Sequence, residues 1–250
     1  LELLGISHGI IALTKVDLVD DEWLELAQME VADHVEGTFL EGAPMVSVSS
    51  TSGTGLDAMR SELDALIERS TAAVDRKRPR LWLDRVFAAK GSGTVSTGTL
   101  VGGTLQNDQL VSIEPGRHSA RVRTIQTAGN TVEQIGAGNR VAVNLAGVDH
   151  TDVKRGDAVV EPGRWRLTER FDASLRVLDA LDHDVSRRGA YVAYIGAGEH
   201  AVKLRVLGVQ ELGPGTTGAV RLFLPAAPPL LPGGRFVLRE SGRVETGGGG

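Results

Sequence analysis

The sequence has no cysteine. This excludes disulfides and every thiolate metal site. Its six histidines, His8, His34, His118, His150, His183 and His200, show no interval that would place two on one metal ion. They read as surface or packing residues, and no metal site is expected. Aromatic side chains are scarce, at only 4% of the chain. No apolar run approaches the roughly 18 residues of a membrane helix. No signal peptide is read ahead of the fold, and no membrane partner is expected. The net charge of −5 speaks against one broad basic face for nucleic acid, while leaving room for a local patch. Two phosphate-handling motifs are also missing: there is no G-x4-G-K-[ST] and no D-x-x-G.

What is present is an ordinary globular composition, 41% hydrophobic and 24% charged, with 32 glycines. At 250 residues, length alone allows about one to three domains. The run SHGIIALT over Ser7 to Thr14 fits a strand buried on both faces. Asp20 or Asp21 is the candidate N-cap of a helix carrying Leu24, Ala27, Val31 and Val35 at helical spacing, with Gly37 behind it. Ala43 to Ser49 reads as a second strand. Thr51-Ser52-Gly53-Thr54-Gly55 is a loop, and Leu56, Met59, Leu63, Leu66 and Ile67 mark a second amphipathic helix ending near Ser70. Strand, helix, strand, helix predicts a parallel α/β unit whose ligand sits at the carboxyl ends of the strands. The basic run VDRKRPR over Val74 to Arg80 then breaks the pattern. It reads as a solvated linker, with an RNA-facing patch as the alternative.

From Leu81 onward the chain is short strands and turns. Leu83, Arg85 and Phe87 alternate against Asp84, Val86 and Ala88, and Thr94 to Val101 runs back after Lys90-Gly91-Ser92-Gly93, which predicts a β-hairpin over Leu83 to Gly103. These glycines do not form a phosphate loop, because strand-favouring Thr94, Val95, Ser96 and Thr97 follow where a helix would have to start. Further strands are read at Gln109 to Ile113, Ala120 to Thr127, Asn139 to Ala146 and Asp157 to Val160. Turns are read at Pro115-Gly116, Ala128-Gly129 and Pro162-Gly163. The rest repeats the class: Phe171 to Leu178, Gly189 to Ile195, Ala201 to Val209, Gly218 to Leu224 and Arg235 to Arg239. Pro225 to Pro232 is a proline-rich loop, and the tail Gly247 to Gly250 is not expected to form a strand or helix by itself. Evenly spaced short strands suggest small closed barrels.

The stretch LDRVFAAKGSGTVSTGTLVGG, with its charged pair, VF and G-x-G-T-V-x-T-G-T, resembles the opening of domain II in translational GTPases. Its form is most similar to the selenocysteine-specific (SelB-type) elongation factors. Elongation factor Tu usually reads T-G-R where this chain has Thr97-Gly98-Thr99. The closing run RFVLRESGRVETGGGG resembles the end of domain III in the same family. The fold class implied is α/β plus all-β: the C-terminal part of a P-loop GTPase domain over residues 1–75, β-barrel domain II over 76–162, and β-barrel domain III over 163–250. On this reading the chain is a fragment of a longer protein, with its phosphate, magnesium and water-positioning parts upstream of Leu1.

Thr14-Lys15-Val16-Asp17 follows the first strand. An Asp there accepts from the guanine N1–H and exocyclic amine, a donor pair that adenine lacks. The Lys15 stem can lie over the base. Taken alone, T-K-x-D also fits a surface loop. By resemblance, Thr14, Lys15 and Asp17 fall on the N-K-x-D motif, with Thr14 in place of Asn. Ser49, Ser50 and Thr51 fall on the second base-binding loop, with Ser50 in place of Ala. The implied cofactor is GTP/GDP, with Mg only in the complete protein. The fragment alone is not expected to hydrolyse GTP, and no catalytic residue is assigned.

By resemblance again, Asp84, Arg85 and Arg140 fall on the pocket that receives the aminoacyl group. A selenolate would be stabilised by two guanidiniums that stay charged, whereas a neutral seryl group would leave them without their counter-charge. Neighbours on a regular strand face opposite ways, so Asp84 and Arg85 share a pocket only at a strand end or bulge. A surface salt bridge is the plain alternative. The implied function is delivery of selenocysteinyl-tRNA to the ribosome in the cytoplasm by a monomer. A messenger-RNA hairpin would be bound through a C-terminal region not in this sequence. The alternatives are another translational GTPase, of the elongation factor Tu or initiation factor 2 gamma type, or a non-catalytic barrel that docks partners.

Overall fold

The structure is a computed structural model that describes residues 2–89, 93–241 and 245–250. The chain divides into two compact units, Leu1–Thr71 and Ala72–Gly250. In the first, β1 (Ile11–Thr14) lies parallel to β2 (Met45–Val48), with Thr14 opposite Val48. Two helices alternate with them, α1 (Asp21–Val35) and α2 (Leu56–Arg69). Asp20 is the N-cap of α1: its Oδ1 accepts from the Trp23 N–H at 3.0 Å. Leu24, Ala27, Val31 and Val35 form the half-buried stripe that their spacing predicts. The prediction for α2 is only partly met. Leu56, Met59 and Leu66 are half-buried, but Leu63 and Ile67 are exposed, at 43% and 68%. Two strands offer a helix too narrow a surface to cover its whole apolar face.

The second unit holds two antiparallel rings. In the first, β3 (Arg80–Ala89), β4 (Gly93–Val101), β5 (Leu110–Glu114), β6 (His118–Thr127), β7 (Arg140–Ala146) and β8 (Ala158–Val160) follow the order β7-β4-β3-β8-β5-β6, and a β6–β7 pairing closes it. Its interior is packed with Leu81, Leu83, Leu100, Val111, Ile113, Val122, Ile125, Val143, Leu145 and Val159. Each such side chain contributes about 1.5–3 kcal/mol on burial. In the second ring, β9 (Arg170–Val177), β10 (Tyr191–Ile195), β11 (Gly198–Val206), β12 (Thr217–Phe223), β13 (Phe236–Glu240) and β14 (Glu245–Gly249) close in the order β9-β12-β11-β10-β13-β14. Every pairing in both rings is antiparallel.

The rings share a wall. β8 is buried on both faces: Val159 packs into the first core, while Ala158, Val160 and Trp82 join the core of the second. The Trp82 ring lies against Gly196, where an added Cβ would come within 2.3 Å of it. Arg80 corrects the solvated-linker reading at the linker's last residue. Its guanidinium is stacked on Trp82 at 4.8 Å and Trp165 at 5.1 Å, and its Nη1 donates to the Pro229 carbonyl at 2.7 Å. Burial, and then the charge of Arg76, push its pKa down from the ordinary guanidinium value to about 10.

The glycine tail corrects a second expectation. Glu245–Gly249 is a strand because β13 and β9 pair with it on its two sides. A Cβ at Gly248 would sit 2.2 Å from the Arg176 carbonyl oxygen, which suits glycine to a place squeezed between neighbours.

Candidate functional sites

In the α/β unit, the parallel register of β1 and β2 sets their following loops side by side. Lys15 adopts a left-handed conformation (φ 62°), unusual for a residue with a Cβ, and the turn Val16–Leu18 follows it. Asp17 is exposed, and no hydrogen bond or ion pair engages its carboxylate among the described residues. The second loop is tightly folded around Ser49. This side chain is buried, and its Oγ accepts from the Thr51 N–H at 3.2 Å and the Ser52 N–H at 3.1 Å. The Ser49 N–H donates to Thr54 O at 2.9 Å. Gly55 closes the loop at φ 71°, where a Cβ would lie 1.9 Å from Ser47 O. Thus Ser49 and the Thr51 N–H are committed to the loop, while no intrachain acceptor engages the exposed Ser50 N–H among the described residues. A free carboxylate on one loop and a free N–H on its neighbour fit a planar base that donates to the first and accepts from the second.

In the first barrel, the hairpin predicted over Leu83 to Gly103 forms, but its strict alternation fails. The Lys90–Ser92 part of its turn lies outside the described residues. Leu83 pairs with Gly98 and Arg85 with Thr97, so Asp84 is an extra, bulged residue. The inward phase shifts from Leu81 and Leu83 to Val86, and Asp84 and Arg85 both come to the outer side. Gly98 makes this possible: a Cβ there would sit 1.9 Å from Trp82 O.

Across β4, Arg140 reaches the bulge. Its Nη1 donates to Asp84 Oδ2 at 2.5 Å and its Nη2 to Asp84 Oδ1 at 3.1 Å. The Thr97 hydroxyl also donates to Asp84 Oδ1, at 2.7 Å. Partial burial works to raise the Asp84 carboxyl. The Arg140 and Thr97 hydrogen bonds, with the charges of Arg140 and Arg85, outweigh it and hold the carboxyl below its ordinary range. The Asp84 hydrogen bond and charge raise Arg140 in turn. Arg85 is exposed and has no ion pair or side-chain hydrogen bond among the described residues. The sequence reading missed Thr97. Its signal was the hairpin register, which sets it opposite the bulge. The arrangement carries one carboxylate and two cations, and can receive a small anion at Arg85 and the free edge of Arg140.

No protein-family model matches the chain. The selenocysteine-specific elongation factor of Desulfomicrobium baculatum is 36% identical over 250 residues, covering 99% of this chain and 39% of that protein. Elongation factor Tu 2 of Streptomyces avermitilis is 28% identical over 264 residues, covering 98% of the chain and 66% of that protein. Among solved structures, a bacterial selenocysteine-specific elongation factor superposes with a TM-score of 0.85 at 27% identity, over 99% of this chain and 40% of its own. The apo form of SelB from Methanococcus maripaludis gives 0.84 at 19% identity, a likeness of fold, over 100% of the chain and 60% of its own. The chain thus spans about two fifths of the length of the curated selenocysteine-specific relative it matches.

Proposed function

We propose that this chain, a homologue of the selenocysteine-specific elongation factors over 99% of its length, is the part of such a factor that reads the guanine base of GTP and the aminoacyl group of selenocysteinyl-tRNA. The whole protein would bind GTP, hydrolyse it on the ribosome and work in the cytoplasm as a monomer. A messenger-RNA hairpin would be held by a region beyond this chain. Residues 1–75, 76–162 and 163–250 are then three functional domains.

In the first, Asp17 accepts from the guanine N1–H and amine, Lys15 covers the base and the Ser50 N–H donates to the guanine oxygen. Thr14 stands at the start of the first base-binding loop, and Ser49 holds the second in shape through the bonds its Oγ accepts from the Thr51 and Ser52 N–H groups. Mg and the phosphates belong with elements outside this sequence, so the fragment alone is expected to bind weakly and not to turn over.

The observation that carries the reading is the bulge at Asp84. It supports a pocket in which Arg85 and Arg140 face the same ligand while Asp84 orients Arg140. The selenocysteine side chain is largely an anion near pH 7 and suits two permanent cations. A seryl group would leave them without a counter-charge.

The nucleotide half is tested in the chain rejoined to a phosphate-binding half. Asp17→Asn should lose about 10²-fold or more in GDP affinity and gain affinity for xanthosine diphosphate, whose extra carbonyl accepts from the amide. Unchanged guanine preference would remove Asp17 from the role.

A further inference from the structure

The outer face of the second barrel carries a charge pattern at odds with the acidic chain. On three neighbouring strands, the register sets Arg170 of β9, Phe223 of β12 and Lys203 of β11 in one row. The next row is Asp172, Arg221 and Arg205. All six point away from the core, because Phe171, Leu222 and Leu204, one step along, face inward. Adjacent strands lie about 4.8 Å apart, so each row spans about 10 Å.

Asp172, the single acid in these two rows, is already neutralised. Arg221 holds it through two bonds, Nε to Oδ1 at 2.6 Å and Nη2 to Oδ2 at 2.8 Å. Arg170, Lys203 and Arg205 carry no ion pair or side-chain hydrogen bond among the described residues. Phe223 is 38% exposed in the middle of its row, flanked by two cations. Beyond Arg205, the surface dips into a cleft of about 440 Å³ lined by Arg205, Arg187, Arg188, Gln210 and Glu211. The chain as a whole has a net charge of −5, so this concentration of cations is local.

A partly exposed aromatic ring between cations, continued by an arginine-lined cleft, matches the two halves of a nucleotide. The ring offers a face for a base to stack on, and the cations track the phosphates. We propose that this face binds an unpaired RNA segment. One base stacks on Phe223 between Arg170 and Lys203, and the backbone runs past Arg205 into the Arg187–Arg188 cleft. An unpaired strand is the form that fits, since bases in a duplex are already stacked and cannot reach Phe223. The proposal does not rest on the function assigned above: its test uses neither nucleotide nor aminoacyl-tRNA.

The test is fluorescence anisotropy of the 250-residue chain with a labelled single-stranded RNA dodecamer of mixed sequence, titrated at several salt concentrations. A duplex of the same length and inorganic polyphosphate run alongside. Lys203→Ala with Arg205→Ala should weaken the single strand and reduce the slope of log affinity against log salt by about 1.4, two phosphate contacts' worth. Phe223→Ala should weaken it roughly five- to hundredfold with the slope unchanged, and Phe223→Tyr should restore it. Neither duplex nor polyphosphate should respond to Phe223→Ala. Lys203 and Arg205 are exposed, so their variants should melt at the wild-type value. Phe223 is 38% exposed, so Phe223→Ala should melt somewhat lower, while Phe223→Tyr keeps the packing and the wild-type melting temperature. Absence of single-strand binding at the lowest salt would overturn the proposal. So would unchanged affinity in variants that remain folded at the assay temperature, or a Phe223→Ala effect of equal size on polyphosphate.

Discussion

Gly98→Ala is the sharpest perturbation of the Asp84 site that touches none of its charged groups. The glycine pairs with Leu83 at the edge of the bulge, and its added Cβ would fall 1.9 Å from Trp82 O and 3.1 Å from Leu81 Cδ1. The nearest obstacle is backbone, so no rotamer change relieves it. The Trp82 peptide must retreat by about 1 Å, against β8 and the shared wall of the barrels, at a cost of about 3 kcal/mol. For a unit of this size that corresponds to a fall of about 6–12 °C in melting temperature. Gly136→Ala is the matched control, with nothing within 4 Å of the added Cβ, and should shift melting by no more than about 2 °C. Thermal unfolding is followed by tryptophan fluorescence in a Trp23→Phe background, so that Trp82 and Trp165 report on this unit alone. If Gly98→Ala melted with the control, the glycine of the T-G-T motif would not be what accommodates the bulge.

Arg80 gives a test of opposite character. Its depressed pKa means that the charged form is penalised by about 3 kcal/mol throughout the range below pH 10. The two indoles and the Pro229 carbonyl offset this. Arg80→Met should therefore unfold in urea within about 1 kcal/mol of wild type, while Arg80→Ala, which leaves a gap between the indoles, should lose about 2–4 kcal/mol; equal large losses would contradict the reasoning. Asp157 tests the pH linkage. Burial raises its carboxyl against the Lys154 N–H bond and the charges of Lys154 and His118. A carboxyl whose folded pKa is raised costs stability while ionised, and the cost disappears as pH falls through that pKa. Asp157→Asn, which can still accept from the Lys154 N–H, should melt above wild type at neutral pH, with the gap closing in acid; a lower melting temperature at neutral pH would refute it.

The α/β unit was legible because Leu24, Ala27, Val31 and Val35 carry helical spacing and Asp20 is a strong cap. The barrels were legible as a class from their short strands and turn glycines. The bulge was not. Period-two alternation over Leu83 to Ala88 is what an unbroken strand would show, and only the register against Gly98 and Thr97 reveals the extra residue. Arg80 was hidden because its partners, Trp165 and Pro229, are distant in sequence. The tail misled for a related reason. Gly248 has no strand propensity of its own, and its conformation is set by two neighbouring strands. Asp17 and Ser50 are the opposite case as candidates: a short motif after each of two parallel strands names them without knowledge of the rest, and the structure shows those strands in register.

The most direct measurement is aminoacyl-tRNA discrimination. The complete protein, loaded with GTP, is titrated with selenocysteinyl-tRNA and with seryl-tRNA, as wild type, as Arg85→Ala and as Arg140→Ala. Two cations facing one anion predict that each substitution lowers selenocysteinyl affinity by about tenfold or more and leaves seryl affinity unchanged, so that the preference collapses. Equal loss for both tRNAs would instead place Arg85 and Arg140 on the RNA backbone or in the fold, and would contradict the pocket.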